Sequence, residues 1–264
     1  LKENLKSLNP TAVHEAFKIF WSTPNLHLIL STQTAEGDTE KQLQEIYKFQ
    51  SGVALEAPSD KEAAAFGYTD FGKAGTASPT THIEDLDIYQ WTYPNGVKVN
   101  FKQTDFDKNS IGMVASFGSG KAGMPMSISG LDTLAGAIFS AGGLGKHSSD
   151  ELRTILAGRN VGVGFSISDD SFSLSGSTTP KDLQLQLQLL TAYLTDPGFR
   201  PEAERQFKAM LPNIYAQLKH TEQGPMSEMS SWFVSNDPRF TFPSEDQANA
   251  LSTAQVKDWL SPQL

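Results

Sequence analysis

Hydrophobic residues recur along the first part of the chain with a helical period. Asn9-Pro10 places a capping residue before a proline suited to the first helical position, and Val13, Phe17, Phe20 and Trp21 follow at helical spacing. This predicts a helix over Pro10–Trp21. The apolar run LHLILST, Leu26 to Thr32, predicts a short strand, and Leu43, Ile46 and Tyr47 return to helical spacing between Asp38 and Gln50. Both periodicities then fade from residue 51 to residue 80, a stretch rich in Gly, Ala, Pro, Asp and Thr that predicts a linker. It carries Phe66, Tyr68 and Phe71, so it is expected to lie against the protein surface.

Alternation takes over in IYQWTYPNGVKVNFKQTDFDKNSIGMVASFG, which predicts three antiparallel strands with a tight hairpin turn at Asn95-Gly96 and a looser one at DFDKNS. The run GLDTLAGAIF, Gly130 to Phe139, is helix-like with a single charge. A second short helix is expected over Ser149 to Ala157, with Asp150 and Glu151 in its first turn and Gly158 at its stop. VGVGFSIS and SFSLSGST alternate strictly, with Val161, Val163, Phe165 and Ile167 on one face, and predict a hairpin across Asp169-Asp170 in the same sheet. Helical stretches follow over Lys181 to Thr195, Pro201 to Lys219, Met226 to Val234 and Thr253 to Leu260. Strands joined by hairpins with helices appended define the α+β class, a mostly antiparallel sheet with helices packed on one face.

Composition narrows the chemistry. The 264 residues carry a net charge of -9 with no Lys/Arg cluster, which argues against a nucleic-acid partner. Cysteine is absent, which excludes disulfides, thiolate nucleophiles and Cys-based metal sites. No apolar run reaches the roughly 20 residues of a membrane span. The chain opens on Leu1 without a signal-like segment, so it is expected to be a piece of a longer product.

Local candidates for chemistry are weak. The five histidines, His14, His27, His82, His147 and His220, include no i, i+4 pair of the zinc-binding kind. His147 with Asp150 and Glu151 comes nearest to a ligand set, yet an acidic first helical turn explains the same residues. Asp169-Asp170 at a hairpin apex reads as turn chemistry. FGSGKAG, Phe117 to Gly123, lacks the spacing of a phosphate loop, and neither Ser127, Ser129 nor Ser140 sits in a nucleophile elbow. Gly162 and Gly164 strip one strand face of side chains, as close packing would require.

In this order of elements the sequence resembles the insulinase/pitrilysin family of zinc metallopeptidases, with its LuxS/metallopeptidase-like domains. The resemblance rests on YPNGVKVNFKQTDFDKNSIGMVASFGSGKAG, the helix after it, the stretch from LAGRNVGVGF to ERQFKAML, and the linker FGYTDFGKAGT. It implies four similar α+β domains in two halves that enclose a peptide. Residues 1-50 would then end a preceding domain, 51-80 would be the inter-half linker, and 81-264 would be an inactive third domain.

The family's active domain carries H-x-x-E-H on the helix after the third strand, with a distal glutamate as the last zinc ligand. Carried onto GLDTLAGA, the two histidine positions are Thr133 and Ala137 and the general-base position is Gly136, while the distal glutamate falls near Asn213. These four residues make a degenerate zinc site, and the small residues of the helix are expected to serve packing against the sheet. The resemblance implies no zinc in this segment and zinc in the missing N-terminal half. It further implies a non-catalytic wall of the peptide chamber, a peptide substrate, and as partner the catalytic half or a separate active subunit. A periplasmic or secreted bacterial setting fits. The alternative is a structural or processing-partner subunit with the same fold and no peptidase activity.

Overall fold

The structure, a computed structural model, describes residues 8–22, 27–31, 37–53 and 65–264. The chain divides into two units, Leu1–Asp60 and Lys61–Leu264. In the first, α1 spans Pro10–Trp21 and α2 spans Thr39–Ser51. Each is opened by a side chain: Asn9 Oδ1 accepts from the Ala12 N–H at 2.8 Å, and Asp38 Oδ1 accepts from the Lys41 N–H at 3.2 Å. Neither helix buries a residue. The strand expected over Leu26 to Thr32 does not form in its described part. Residues 27–31 lie in neither helix nor strand, and Leu26 and Thr32 fall outside the described residues. A strand exists only through its ladder, and among the described residues of this unit no partner strand is present.

The described residues of the second unit hold six strands in two antiparallel sheets. β1 (Thr81–Ile83), β2 (Ile88–Thr92) and β3 (Lys98–Phe101) form one sheet in that order. β4 (Ile111–Phe117), β5 (Gly164–Ile167) and β6 (Phe172–Thr178) form the other, in the order β4-β6-β5. The single sheet expected from the sequence is therefore two. β4 pairs with β6 along its full length, Ile111 opposite Thr178 and Phe117 opposite Phe172, and not with β3. Burial supplies the reason. Phe172 and Leu174 of β6 are fully buried, and β4 turns Met113, Ala115 and Phe117 toward that core, whereas the β1–β3 sheet contains no buried side chain.

The hairpin at Pro94–Gly96 also differs in detail. Tyr93 and Val97 close a three-residue loop, and Gly96 alone takes a positive φ, +86°. That is a type I turn followed by a left-handed glycine, with no left-handed conformation required of Asn95.

The helices of this unit are α3 (Leu131–Ala141), α4 (Ser149–Ile155), α5 (Leu183–Thr195), α6 (Pro201–His220), α7 (Gln223–Phe233), α8 (Glu245–Ala250) and α9 (Thr253–Leu260). α3 is central and packs on α6, α9 and β5. Its Leu131, Leu134, Ile138 and Phe139 are fully buried with Phe172, Leu174, Val256 and Leu260. Each such side chain contributes roughly 1.5–3 kcal/mol by leaving water. Aromatic rings knit the layers, Phe139 stacking on Phe165 at 4.1 Å between centroids and Phe172 meeting Trp259 edge-on at 5.2 Å. α8 was not expected from periodicity, but Ser244 and Gln247 form a capping box at its start.

Candidate functional site

Gly130 opens α3 with φ +76°, and a Cβ there would collide with the Pro243 ring, so both conformation and space require glycine. The one charge of the run, Asp132, pairs with Lys121 Nζ at 2.9 Å, each partly buried. It sits in the first turn, where a carboxylate complements the helix dipole. Its charge is thereby committed to holding the FGSGKAG loop against the helix.

A 3.6-residue period divides α3 into two faces. Leu131, Leu134, Ala135, Ile138 and Phe139 point into the core, while Gly136 and Ala137 are exposed and Thr133 is half-buried. The three positions expected to replace two zinc ligands and the general base thus share one outward stripe. Their smallness does not serve packing against the sheet, contrary to the sequence expectation: a Cβ on Gly136 would meet nothing within 4 Å. Packing is carried by the opposite face. Asn213 lies exposed on α6, one residue beyond Pro212, and α6 packs on α3.

A hydrolytic zinc requires imidazole or carboxylate donors. A hydroxyl, a carboxamide and two residues without donor side chains do not fit it, and among the described residues no group of three or more His, Asp or Glu could hold a metal. His147, Asp150 and Glu151 are likewise engaged elsewhere. Ser148 and Glu151 form a capping box for α4, Glu151 Oε2 accepting from the Ser148 N–H at 2.7 Å. The Ser148 backbone and hydroxyl hold the Glu151 carboxyl below the usual carboxylate range. His147 is buried and accepts the Gly67 N–H at Nε2, 2.8 Å away.

Backbone donors of the FGSGKAG loop are committed to the fold. Lys121 N–H donates to Ser168 O at 3.0 Å and Ala122 N–H to Asp169 O at 2.8 Å, so the loop docks on the apex of the β5–β6 hairpin instead of cradling an anion. Gly120 permits this contact, because a Cβ there would overlap the backbone of Ser168 and Ser171. Ser129 hydrogen bonds to Thr241, and among the described residues none of Ser127, Ser129 and Ser140 is bonded to a histidine.

The glycines of the second hairpin also act differently from expectation. A Cβ on Gly162 would meet open space, whereas one on Gly176 would strike Gly162 O and Gln186 Nε2. The fully buried Gln186 carboxamide accepts from the Gly162 N–H and donates to the Gly162 C=O, both at 2.8 Å. It substitutes for a strand, which is why β5 begins only at Gly164. Asn160 N–H donates to the buried Asp182, whose second oxygen pairs with Arg159 at 2.8 Å.

What the sequence treated as a linker contributes the other organised cluster. Tyr68 is buried, its hydroxyl donating to Asp196 Oδ2 at 2.6 Å and accepting from the Lys146 N–H at 2.8 Å. Burial and the Asp196 carboxylate push the Tyr68 phenol up to about 12. Phe71 is 44% exposed and borders an open groove with Leu183 and Leu187 of α5. Periodicity carried no signal for this cluster. Its aromatic residues in a polar stretch did.

No family model matches the sequence, and no curated protein matches it. Solved structures do. A mutant of the ferredoxin protease FusC in complex with Arabidopsis ferredoxin aligns over 98% of this chain and 29% of its own, at 16% identity and a TM-score of 0.63. The periplasmic protease PqqL from Escherichia coli aligns over 98% of this chain and 25% of its own, at 16% identity and a TM-score of 0.59. A peptidase M16 inactive domain from Pseudomonas fluorescens aligns over 66% of this chain and 43% of its own, at 14% identity and a TM-score of 0.52. The chain has the M16 peptidase fold. This is the fold that the insulinase/pitrilysin resemblance implies. The chain spans about a quarter of the length of the two proteases. Among the described residues no helix is long and apolar enough to cross a membrane.

Proposed function

We propose that the chain is a non-catalytic M16 domain of an insulinase-like zinc metallopeptidase and forms part of the wall that encloses a peptide substrate. The observation that carries this is the outward stripe of α3 formed by Thr133, Gly136 and Ala137, to which the resemblance assigns the motif positions and which offers no imidazole or carboxylate to hold a zinc or activate its water. Residues 1-50 end the preceding domain, 51-80 link the two halves, and 81-264 are the inactive domain. Zinc belongs to the N-terminal half or to a separate active subunit, which is the partner of this chain. Enclosure by two halves positions the scissile bond and excludes water. The likeness to a periplasmic protease supports a periplasmic setting, and the likeness to a protease of ferredoxin supports peptides or small proteins as substrates.

Metal analysis of the purified chain tests the assignment. It should return no stoichiometric zinc, and tightly bound zinc at one equivalent would overturn it. Addition of the chain to a separately produced catalytic half should restore peptide cleavage. A reading frame upstream of Leu1 without H-x-x-E-H, in a cell with no active partner chain, would transfer the domain to the structural or processing-partner class.

A further inference from the structure

The β5–β6 hairpin closes at Ser168, whose N–H donates to Ser171 O at 2.8 Å. Bonded pairs alternate along an antiparallel ladder, so Ser166 and Gly164, opposite Ser173 and Ser175, turn their main-chain groups toward β6. Gly162 continues the alternation and gives its N–H and C=O to Gln186. The N–H and C=O groups of Val161, Val163 and Phe165 therefore point away from β6, along the outer edge of the sheet. Among the described residues none of these groups has a hydrogen-bond partner.

Such an edge is a template for another strand, and natural edges are commonly protected by charge, proline or a bulge. Residues 160–168, NVGVGFSIS, carry no charge and no proline. Beside the edge lies an open groove of about 540 Å³, lined by Gly162, Gly164, Ser175 and Ser177. It exists because Gly162 and Gly164 put no side chain on the solvent face, and a Cβ on Gly162 would meet nothing within 4 Å. A strand added to the edge would set alternate side chains against these two glycines, where a large ring fills the space that glycine leaves. A second copy of this strand does not provide one. Antiparallel pairing of two such edges brings Val163 opposite Phe165 or opposite itself, and then only Gly162, Gly164 and Ser166 of the copy face the groove.

We propose that the outer edge of residues 161–165 binds an extended peptide as an added strand, with a large apolar side chain of the peptide seated over Gly162 and Gly164. Main-chain bonds to Val161, Val163 and Phe165 supply affinity that tolerates many sequences, and the groove supplies the preference. That the peptide is a substrate of the parent protein rests on the reading of this chain as a chamber wall. The edge itself does not depend on that reading.

Titration of the nitrogen-15-labelled full chain with an acetylated, amidated peptide that alternates threonine with phenylalanine tests this by NMR. The Val161, Val163 and Phe165 amide signals should move downfield and saturate together, and their hydrogen exchange should slow at least about tenfold at saturation. With phenylalanine over the groove, the threonine nitrogens of the peptide face the edge. Methylating those nitrogens should weaken binding at least about tenfold, whereas methylating the phenylalanine nitrogens should change it less than about twofold. Gly162→Val fills the groove with a side chain that the fold has room for, so the melting temperature should hold while affinity falls at least about tenfold. No saturable change at the three amides, equal effects of the two methylations, or unchanged affinity in Gly162→Val would each overturn the site. Concentration-dependent shifts of the same amides without peptide would assign the edge to a second copy and overturn the peptide as its occupant. A chain that binds peptide here yet carries one equivalent of zinc keeps the edge and loses the chamber-wall reading. A zinc-free chain that restores cleavage but shows no binding here keeps that reading and loses the edge.

Discussion

Gly136→Ala should stabilise the protein, although it places a methyl group at the position where active relatives are expected to hold their general base. Gly136 is the sixth of the eleven residues of α3, far from either cap, so its backbone is helical and its missing side chain is a pure entropic cost. An alanine Cβ there meets nothing within 4 Å. The gain is then the helix-interior difference between Gly and Ala, about 0.5–1 kcal/mol. In a unit of this size 1 kcal/mol shifts the midpoint by about 2–4 °C, so the melting temperature should rise by about 1–4 °C. Calorimetry or far-ultraviolet circular dichroism on the paired proteins measures this. A fall in melting temperature would refute the outward placement of the stripe, because it would show that the missing methyl makes room for a neighbour.

Gln186→Leu keeps the volume but removes both bonds to Gly162, at about 0.5–1.5 kcal/mol each, so denaturant titration should show a loss of about 1–3 kcal/mol together with faster exchange of the Gly162 amide. Phe139→Ala empties a fully buried ring site stacked on Phe165 and should cost about 3–5 kcal/mol in the same titration. Although burial alone would raise the Glu204 carboxyl, bonds from Lys208 and from the Thr253 backbone and hydroxyl at the start of α9 outweigh it and lower the pKa to about 2. A depressed carboxylate stabilises the fold above its unfolded value and loses that contribution as pH falls toward the folded one. Glu204→Gln should therefore be less stable than wild type at pH 7, with the difference closing between about pH 4.5 and pH 2 in pH-dependent melts.

Elements whose signal is local were legible in the sequence. The period of Leu131, Leu134, Ile138 and Phe139 marks the inner face of α3, and the alternation in β4 and β6 marks theirs, because a side chain's direction within one element follows from 3.6-residue or 2-residue geometry alone. Proline and capping residues likewise placed the start of α1. The resemblance assigns the motif positions to α3, and their lack of imidazole or carboxylate is a property of the residues themselves. Two things were not legible. Pairing of β4 with β6 is a contact across 55 or more residues of chain, decided by which strands can bury Phe172 and Leu174. The shortening of β5 depends on a carboxamide from another element.

The direction of small residues was misread for the same reason. Gly136, Gly162 and Gly176 look alike in sequence, yet only Gly176 has another group pressed against its α-carbon. Linear sequence determined the α+β composition, the amphipathic faces and the absence of imidazole and carboxylate at Thr133, Gly136 and Ala137 of α3. The tertiary structure decided what each glycine touches, how the strands divide into two sheets, and that a linker's Gly67 and Tyr68 close on His147 and Asp196. These last outcomes depend on distances between residues remote in the chain, and no period within a single element encodes them.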